Sequence, residues 1–131
     1  MKEPRWLWPE LVLALHERQL AEHGGGSGIR AQDMLDSALM RPQQKWAYGQ
    51  PPPDIPALAA AYAFGIARNH PFIDGNKRTA WVALRLMLKL NGWDLQAPQI
   101  DKLRTMLALA AGELSEDALT DWVRAHSQES R

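Results

Sequence analysis

This sequence contains no cysteine, and that absence removes several kinds of chemistry at once. Disulfide bridges, thiolate nucleophiles and cysteine-based metal sites are excluded, and a cysteine-free chain suits a reducing cytoplasm. The N-terminus has no long apolar stretch ahead of a small-residue cleavage site, and no run of about 18 apolar residues occurs anywhere. We therefore expect a cytoplasmic protein with neither a signal peptide nor a membrane partner.

An excess of charge of one sign is also lacking. Fifteen Lys and Arg residues balance fifteen Asp and Glu residues, so the formal net charge is +0. Because nucleic-acid-binding domains usually carry a basic surface, we expect no direct nucleic-acid partner. The chain has 131 residues and is 46% hydrophobic, which is typical of one globular domain. We predict a single domain over residues 1–131, with a short flexible C-terminal tail from about residue 126.

No segment shows the sustained alternation of a β-strand, and apolar residues recur instead at helical spacing. Pro9 opens a first helix, a second ends at Pro42, and residues 42–56 form an irregular loop. The apolar segment IPALAAAYAFGIARNH predicts a buried central helix, and NKRTAWVALRLMLKLNG predicts another that ends at Asn91-Gly92. Two amphipathic helices follow, the last with Ser115 as its N-cap. The fold class is therefore all-α, a compact bundle of about six helices.

The stretch NHPFIDGNKRTA crowds polar groups between the two strongest helices. A short connection between two core helices is held against the protein body. The start of the second helix offers free N–H groups and the positive end of the helix dipole, and Gly75 lets a ligand approach the backbone. Lys77 and Arg78 add two cations that oppose that dipole. A bound polyanion such as a nucleotide phosphate would relieve the conflict.

Three further side chains complete a set of groups for phosphoryl or nucleotidyl transfer. A neutral His70 can accept a proton from a hydroxyl, and Asp74 can hold Mg²⁺ against phosphate oxygens. Asn76 can donate to a phosphate. Taken singly, each residue has an ordinary interpretation as a surface His, a helix N-cap or a solvated cation. Their joint occurrence at this spacing favours a site.

The motif HPFIDGNKR resembles the Fic/Doc signature, His-x-Phe-x-Asp/Glu-Gly-Asn-x-Arg, at all six specified positions. The segments HGGGSGIR, LDSALMRP, KRTAWVAL and LNGWDL extend the resemblance over roughly residues 6–125, towards the Doc-like, death-on-curing branch. This resemblance implies the all-α Fic/Doc fold and a toxin of a type II toxin–antitoxin system. It further implies ATP as substrate and Mg²⁺ as cofactor.

The resemblance also implies roles for single residues. His70 resembles the general base and Asp74 the Mg²⁺ ligand. Gly75, Asn76, Lys77 and Arg78 resemble the nucleotide- and phosphate-binding residues. Phe72 resembles the motif aromatic that packs into the core.

Two departures bear on the reaction. AMP-transferring Fic proteins have Gly where Lys77 stands and a second Arg where Trp81 stands, so the resemblance favours Doc-like transfer of the γ-phosphate to a protein hydroxyl. For Doc, that hydroxyl lies on elongation factor Tu, and its modification inhibits translation. Gly75 is shared with the AMP-transferring members instead. AMP transfer stays an alternative, as does a catalytically inactive Fic fold that only binds a partner protein.

The resemblance implies that a separate partner protein, acting in trans, inhibits this protein. No Ser or Thr has a Glu four residues on, so the self-inhibitory motif of many Fic proteins is missing, and we expect a Phd-like cognate antitoxin. Trp6 and Trp8 either anchor that antitoxin or cover the core. Arg85 and Lys89 either extend a cationic track towards a substrate protein or form a solvated stripe.

Overall fold

A computed structural model describes residues 3–130 of the chain. Within that range the backbone forms six helices and two short strands. The elements are α1 Pro9–His23, α2 Gln32–Tyr48, α3 Ile55–Asn69, α4 Asn76–Leu90, β1 Trp93–Leu95, α5 Gln99–Ala110, α6 Glu116–Ala125 and β2 Ser127–Glu129. The predicted all-α bundle is confirmed. None of the described helices combines the length and the apolar character needed to cross a membrane.

Helix α3 is the centre of the bundle, as its apolar sequence predicts. It packs against α2, α4 and α6, and nearly all of its residues are buried. Its start is fixed by Asp54, whose carboxylate accepts a hydrogen bond from the Ala57 N–H at 3.0 Å. A Cβ placed on Gly65 would lie 3.2 Å from the Ala38 Cα, so α2 approaches α3 too closely for a side chain there. Helix α1 packs against α4.

Helix α2 does not end at Pro42 but continues to Tyr48, so the predicted irregular loop over residues 42–56 is largely wrong. A proline inside a helix costs about 3 kcal/mol, since it removes one hydrogen bond and crowds the preceding turn. Tertiary contacts offset that cost. Arg41 and Lys45 each bind the Glu116 carboxylate at 2.6 Å, and burial of the turn that contains Pro42 adds apolar contact.

The chain end is also more ordered than predicted. Ser127–Glu129 pairs antiparallel with Trp93–Leu95, and the Ser130 N–H donates to the Gly92 carbonyl at 2.6 Å. The expectation of a flexible tail from about residue 126 is therefore wrong for the residues up to 130. The pairing joins segments more than 30 residues apart, and no local pattern in either segment reveals it.

Helix α5 is the least embedded of the six. Its only fully buried residue is Leu109, whereas Leu103 and Leu107 keep 47% and 49% of their surface exposed. These two leucines lie beside the start of α4 and form one wall of the cleft described below. Of the two N-terminal tryptophans, Trp6 is buried and covers the core, whereas Trp8 is 63% exposed.

Candidate active site

The loop between α3 and α4 begins with an unusual backbone conformation at His70. This residue ends α3 with φ 47° and ψ 56°, and it is the one non-glycine residue with positive φ in residues 3–130. The left-handed conformation costs an ordinary residue roughly 1–2 kcal/mol. His70 therefore needs neighbours that hold it there, and the turn leaves its side chain exposed at the mouth of a cleft.

Arg30 supplies the first of those contacts, and no sequence pattern singled it out. Its Nε donates to the His70 carbonyl at 2.6 Å and its Nη2 to the Asn69 carbonyl at 2.8 Å. Its own backbone N–H donates to the Pro71 carbonyl at 2.7 Å. A planar guanidinium suits two neighbouring acceptors. Arg30 therefore provides hydrogen-bond donors for two carbonyl groups at the end of α3 and, by the same contacts, fixes the His70 turn.

Asn76 and Phe72 close the loop from the inside. The Asn76 side chain is only 8% exposed. Its Oδ1 accepts from the Phe72 N–H, and its Nδ2 donates to the Phe72 carbonyl, both at 2.9 Å. The same Nδ2 lies 3.5 Å from the His70 Nδ1, at the upper limit for a hydrogen bond.

These contacts change the interpretation of Asn76. Sequence reasoning assigned its amide to a phosphate, but the structure uses that amide to brace the loop. Two donors of Asn76 remain for a phosphate: the backbone N–H, which has no intrahelical acceptor in the first turn of α4, and the second hydrogen of Nδ2. Phe72 is buried as expected of the motif aromatic.

His16 is a second residue that sequence reasoning missed. It lies on α1, is only 3% exposed, and places its Nε2 2.7 Å from the Asp74 carbonyl oxygen. Its ring stacks on Phe72 with centroids 3.8 Å apart and planes 8° from parallel. The only available signal was the helical spacing of His16 from Val12, which places it on the buried face.

Asp74 presents its carboxylate next to the glycine-rich loop that precedes α2. One oxygen accepts from the Gly75 N–H at 2.8 Å, and the other lies 3.4 Å from the Gly26 nitrogen. A Cβ on Gly25 would lie 2.8 Å from that second oxygen, so only glycine lets the loop approach this closely. No cluster of three or more metal-ligating side chains occurs in residues 3–130. One carboxylate fits Mg²⁺ nonetheless, since Mg²⁺ commonly takes one or two carboxylates with substrate phosphates and waters.

The start of α4 offers an open site for an anion. Gly75 precedes it at φ 77°, and no side chain caps the helix, so the N–H groups of its first turn lack helical partners. Lys77 and Arg78 are exposed on this turn and form no ion pair with any residue of the described chain. Positive charge from three sources thus converges here, and the one carboxylate that lines the same cleft, that of Asp74, accepts from the Gly75 N–H and forms no ion pair with either cation.

These groups surround one cleft of about 480 Å³. Its residues are His70, Ile73, Asp74, Gly75, Asn76, Lys77, Arg78, Leu103, Met106 and Leu107. One wall is polar and cationic and comes from the loop and α4, while the other is apolar and comes from α5. A cleft of this size and composition suits a ligand that has both anionic groups and an apolar or aromatic part. The structure thus brings together all six residues predicted for the site.

Comparison with known proteins agrees with this geometry. The family model of the Fic/DOC family matches residues 6–88. The chain is 31% identical over 121 residues to Protein kinase doc of Escherichia phage P1, covering 92% of this chain and 94% of that protein. It is 44% identical over 75 residues to Toxin Doc of Mycolicibacterium smegmatis, covering 56% of this chain and 57% of that protein. The chain therefore belongs to the Fic/Doc family.

Proposed function

We propose that this protein is a Doc-like toxin that transfers the γ-phosphate of ATP to a hydroxyl group of another protein. One observation carries the proposal: a base, a carboxylate, two cations without ion pairs and an uncapped helix start all line one cleft. The similarity to a phage protein named as a protein kinase points to the same class of reaction.

The cleft residues divide the reaction between them. The first-turn N–H groups of α4, with Lys77 and Arg78, bind the phosphates and stabilise the charge that develops on them. Asp74 would hold Mg²⁺, and the ion would supply positive charge that neutralises the phosphates. His70 accepts the proton of the attacking hydroxyl while the new oxygen–phosphorus bond forms. The bond from the γ-phosphorus to its bridging oxygen breaks, and ADP leaves.

Lys77 favours phosphate transfer over AMP transfer. Its long cationic side chain lies on the cleft wall. A glycine at this position would leave room for the α- and β-phosphates, as a nucleotide placed for AMP transfer would require. Trp81 does not replace the missing second arginine as a phosphate ligand. It packs towards α6, with its ring centroid 6.0 Å from that of Trp122, and does not line the cleft.

For the biological setting, we propose a cytoplasmic toxin that a Phd-like antitoxin inhibits in trans. Two relatives are named as Doc proteins, one of them as a toxin, and the chain lacks the self-inhibitory motif, which supports this proposal. Elongation factor Tu is the target to test first, because its modification would stop translation.

The experiment uses two preparations of ATP, one labelled at the γ-phosphate and one at the α-phosphate. Purified protein is incubated with each, with Mg²⁺ and purified elongation factor Tu, and in parallel with a bacterial lysate. His70→Ala removes the base, and His23→Ala, which changes an exposed histidine at the end of α1, is the matched control.

We expect label from the γ-position alone, lost in His70→Ala and kept in His23→Ala. Label from the α-position would establish AMP transfer and show that Gly75 outweighs Lys77. No label on any protein, with both variants folded, would favour a fold that only binds partners. A labelled band other than elongation factor Tu would preserve the reaction and replace the target.

A further inference from the structure

His16 is a buried, titratable side chain beside the cleft that the proposed reaction does not use. It reaches the site loop from α1, a helix that carries none of the Fic/Doc motif residues. We propose that His16 is a positioning residue: its Nε2–H holds the Asp74 carbonyl and thereby sets where the Asp74 carboxylate and the start of α4 lie. This inference rests on the proposed function, because the groups it places are those that would hold Mg²⁺ and phosphate.

The direction of the hydrogen bond is fixed by chemistry. A carbonyl oxygen can only accept, so the His16 Nε2, 2.7 Å away, must carry the proton. The ring cannot turn away to find another partner, because it is buried and stacked on Phe72 at 3.8 Å. Phe72 is itself clamped by the Asn76 amide. The loop is thus fixed between a ring from α1 and an amide from α4.

The contact bears on chemistry because of where the held carbonyl lies. Asp74 carries the metal-binding carboxylate, and Gly75 is the next residue and the last before α4. The edge of the His16 ring also lies 3.6 Å from the place where a Gly75 Cβ would be. A displacement of this carbonyl therefore moves the carboxylate and the first N–H groups of the helix together.

Two substitutions separate the hydrogen bond from the packing. His16→Phe keeps a flat ring for stacking but puts a C–H where the N–H was. Because C–H···O contacts need roughly 3.3 Å, the carbonyl must retreat by about 0.6 Å from its 2.7 Å position. His16→Gln loses the ring, but its amide N–H can reach about as far as Nε2. If His16 only packs, His16→Phe should reduce kcat less than His16→Gln does. If His16 positions the loop through its hydrogen bond, His16→Gln should reduce kcat less.

The matched control is His126→Phe. The His126 Nδ1 lies 2.8 Å from the Trp122 carbonyl, and its ring stacks on Trp122 at 4.6 Å, so the substitution removes the same kind of bond outside the cleft.

The assays are titration calorimetry with MgATP, γ-phosphate transfer with kcat and KM measured separately, and ¹⁵N spectra of the histidine rings and the Gly75 amide.

We expect the wild-type spectrum to show His16 protonated at Nε2. His16→Phe should melt close to wild type, shift the Gly75 amide and lower kcat by roughly ten- to a hundredfold, the loss typical of a displacement of this size. His16→Gln should be less stable but recover most of kcat, and His126→Phe should bind and transfer as wild type does.

The proposal is overturned if His16→Phe matches wild type in MgATP binding and kcat, or if His16 is protonated at Nδ1 alone. Failure of the proposed function looks different, since wild type itself would then neither bind MgATP nor transfer phosphate. In that case the His16 ring signal and the Gly75 shift still decide whether His16 positions the turn.

Discussion

Asn76→Ala gives the sharpest test of the view that the Asn76 amide braces the loop. The substitution leaves the Phe72 N–H and carbonyl without the partners they now have at 2.9 Å. Each such group, when buried, costs about 1–3 kcal/mol to leave unsatisfied. For the two groups together we expect a loss of about 2–6 kcal/mol, a large part of the roughly 5–15 kcal/mol by which domains are stable.

The assay is urea denaturation followed by Trp fluorescence, with transfer activity measured per folded molecule. Asn91→Ala is the matched control, because the Asn91 amide also bonds backbone groups, those of Arg5 and Met87, but at the far end of α4. It should destabilise the protein without changing the activity of the folded fraction. If Asn76→Ala keeps wild-type stability and raises only the KM for ATP, the amide binds phosphate and our reasoning is refuted.

Four further predictions follow, each for one residue. Arg30→Lys, which places one point charge where a guanidinium spans two carbonyls, should loosen His70 and lower kcat more than it raises the KM for ATP; an equal kcat would contradict this. Gly75→Ala meets no atom closer than 3.4 Å but must adopt φ 77°, so melting curves should show a loss of about 1–2 kcal/mol. Burial raises the pKa of Tyr62 to about 12, so stability should be complete below pH 10 and fall as the pH rises towards 12, a loss that Tyr62→Phe should abolish. Burial alone would raise the pKa of Glu116, but Lys45 and Arg41 hold it below its ordinary 4.5, so stability should fall as the pH drops from about 4.5, less steeply in Glu116→Gln.

The sequence allowed prediction of what depends on local pattern. The burial of α3 and the Ser115 cap of α6 follow from apolar spacing and capping chemistry, and the structure has both. The motif predicted which side chains share the cleft, because its residues are close in the chain.

What could not be predicted depends on contacts between distant segments. Helix α2 passes through Pro42 because Glu116, more than 70 residues away, binds its last turns. The pairing of the chain end with Trp93–Leu95 is of the same kind. His16 and Arg30 reach the site loop across 58 and 40 residues, so their roles become visible only when α1 and the glycine-rich loop lie against it.

In the structure, some motif residues fold the loop and others line the cleft. A match to the motif therefore says more about the fold than about the reaction. Phe72 and Asn76 hold the loop in shape, because both are buried and two hydrogen bonds join the Asn76 amide to the Phe72 backbone. They would be needed for phosphate transfer, AMP transfer or partner binding alike. Lys77 differs, because it is exposed, forms no ion pair within residues 3–130 and lines the cleft. A substitution there changes the charge and volume of the cleft and leaves the packing intact. The choice between phosphate and AMP transfer should therefore depend on this side chain, and Lys77→Gly should alter which phosphorus is transferred before it alters how the protein folds.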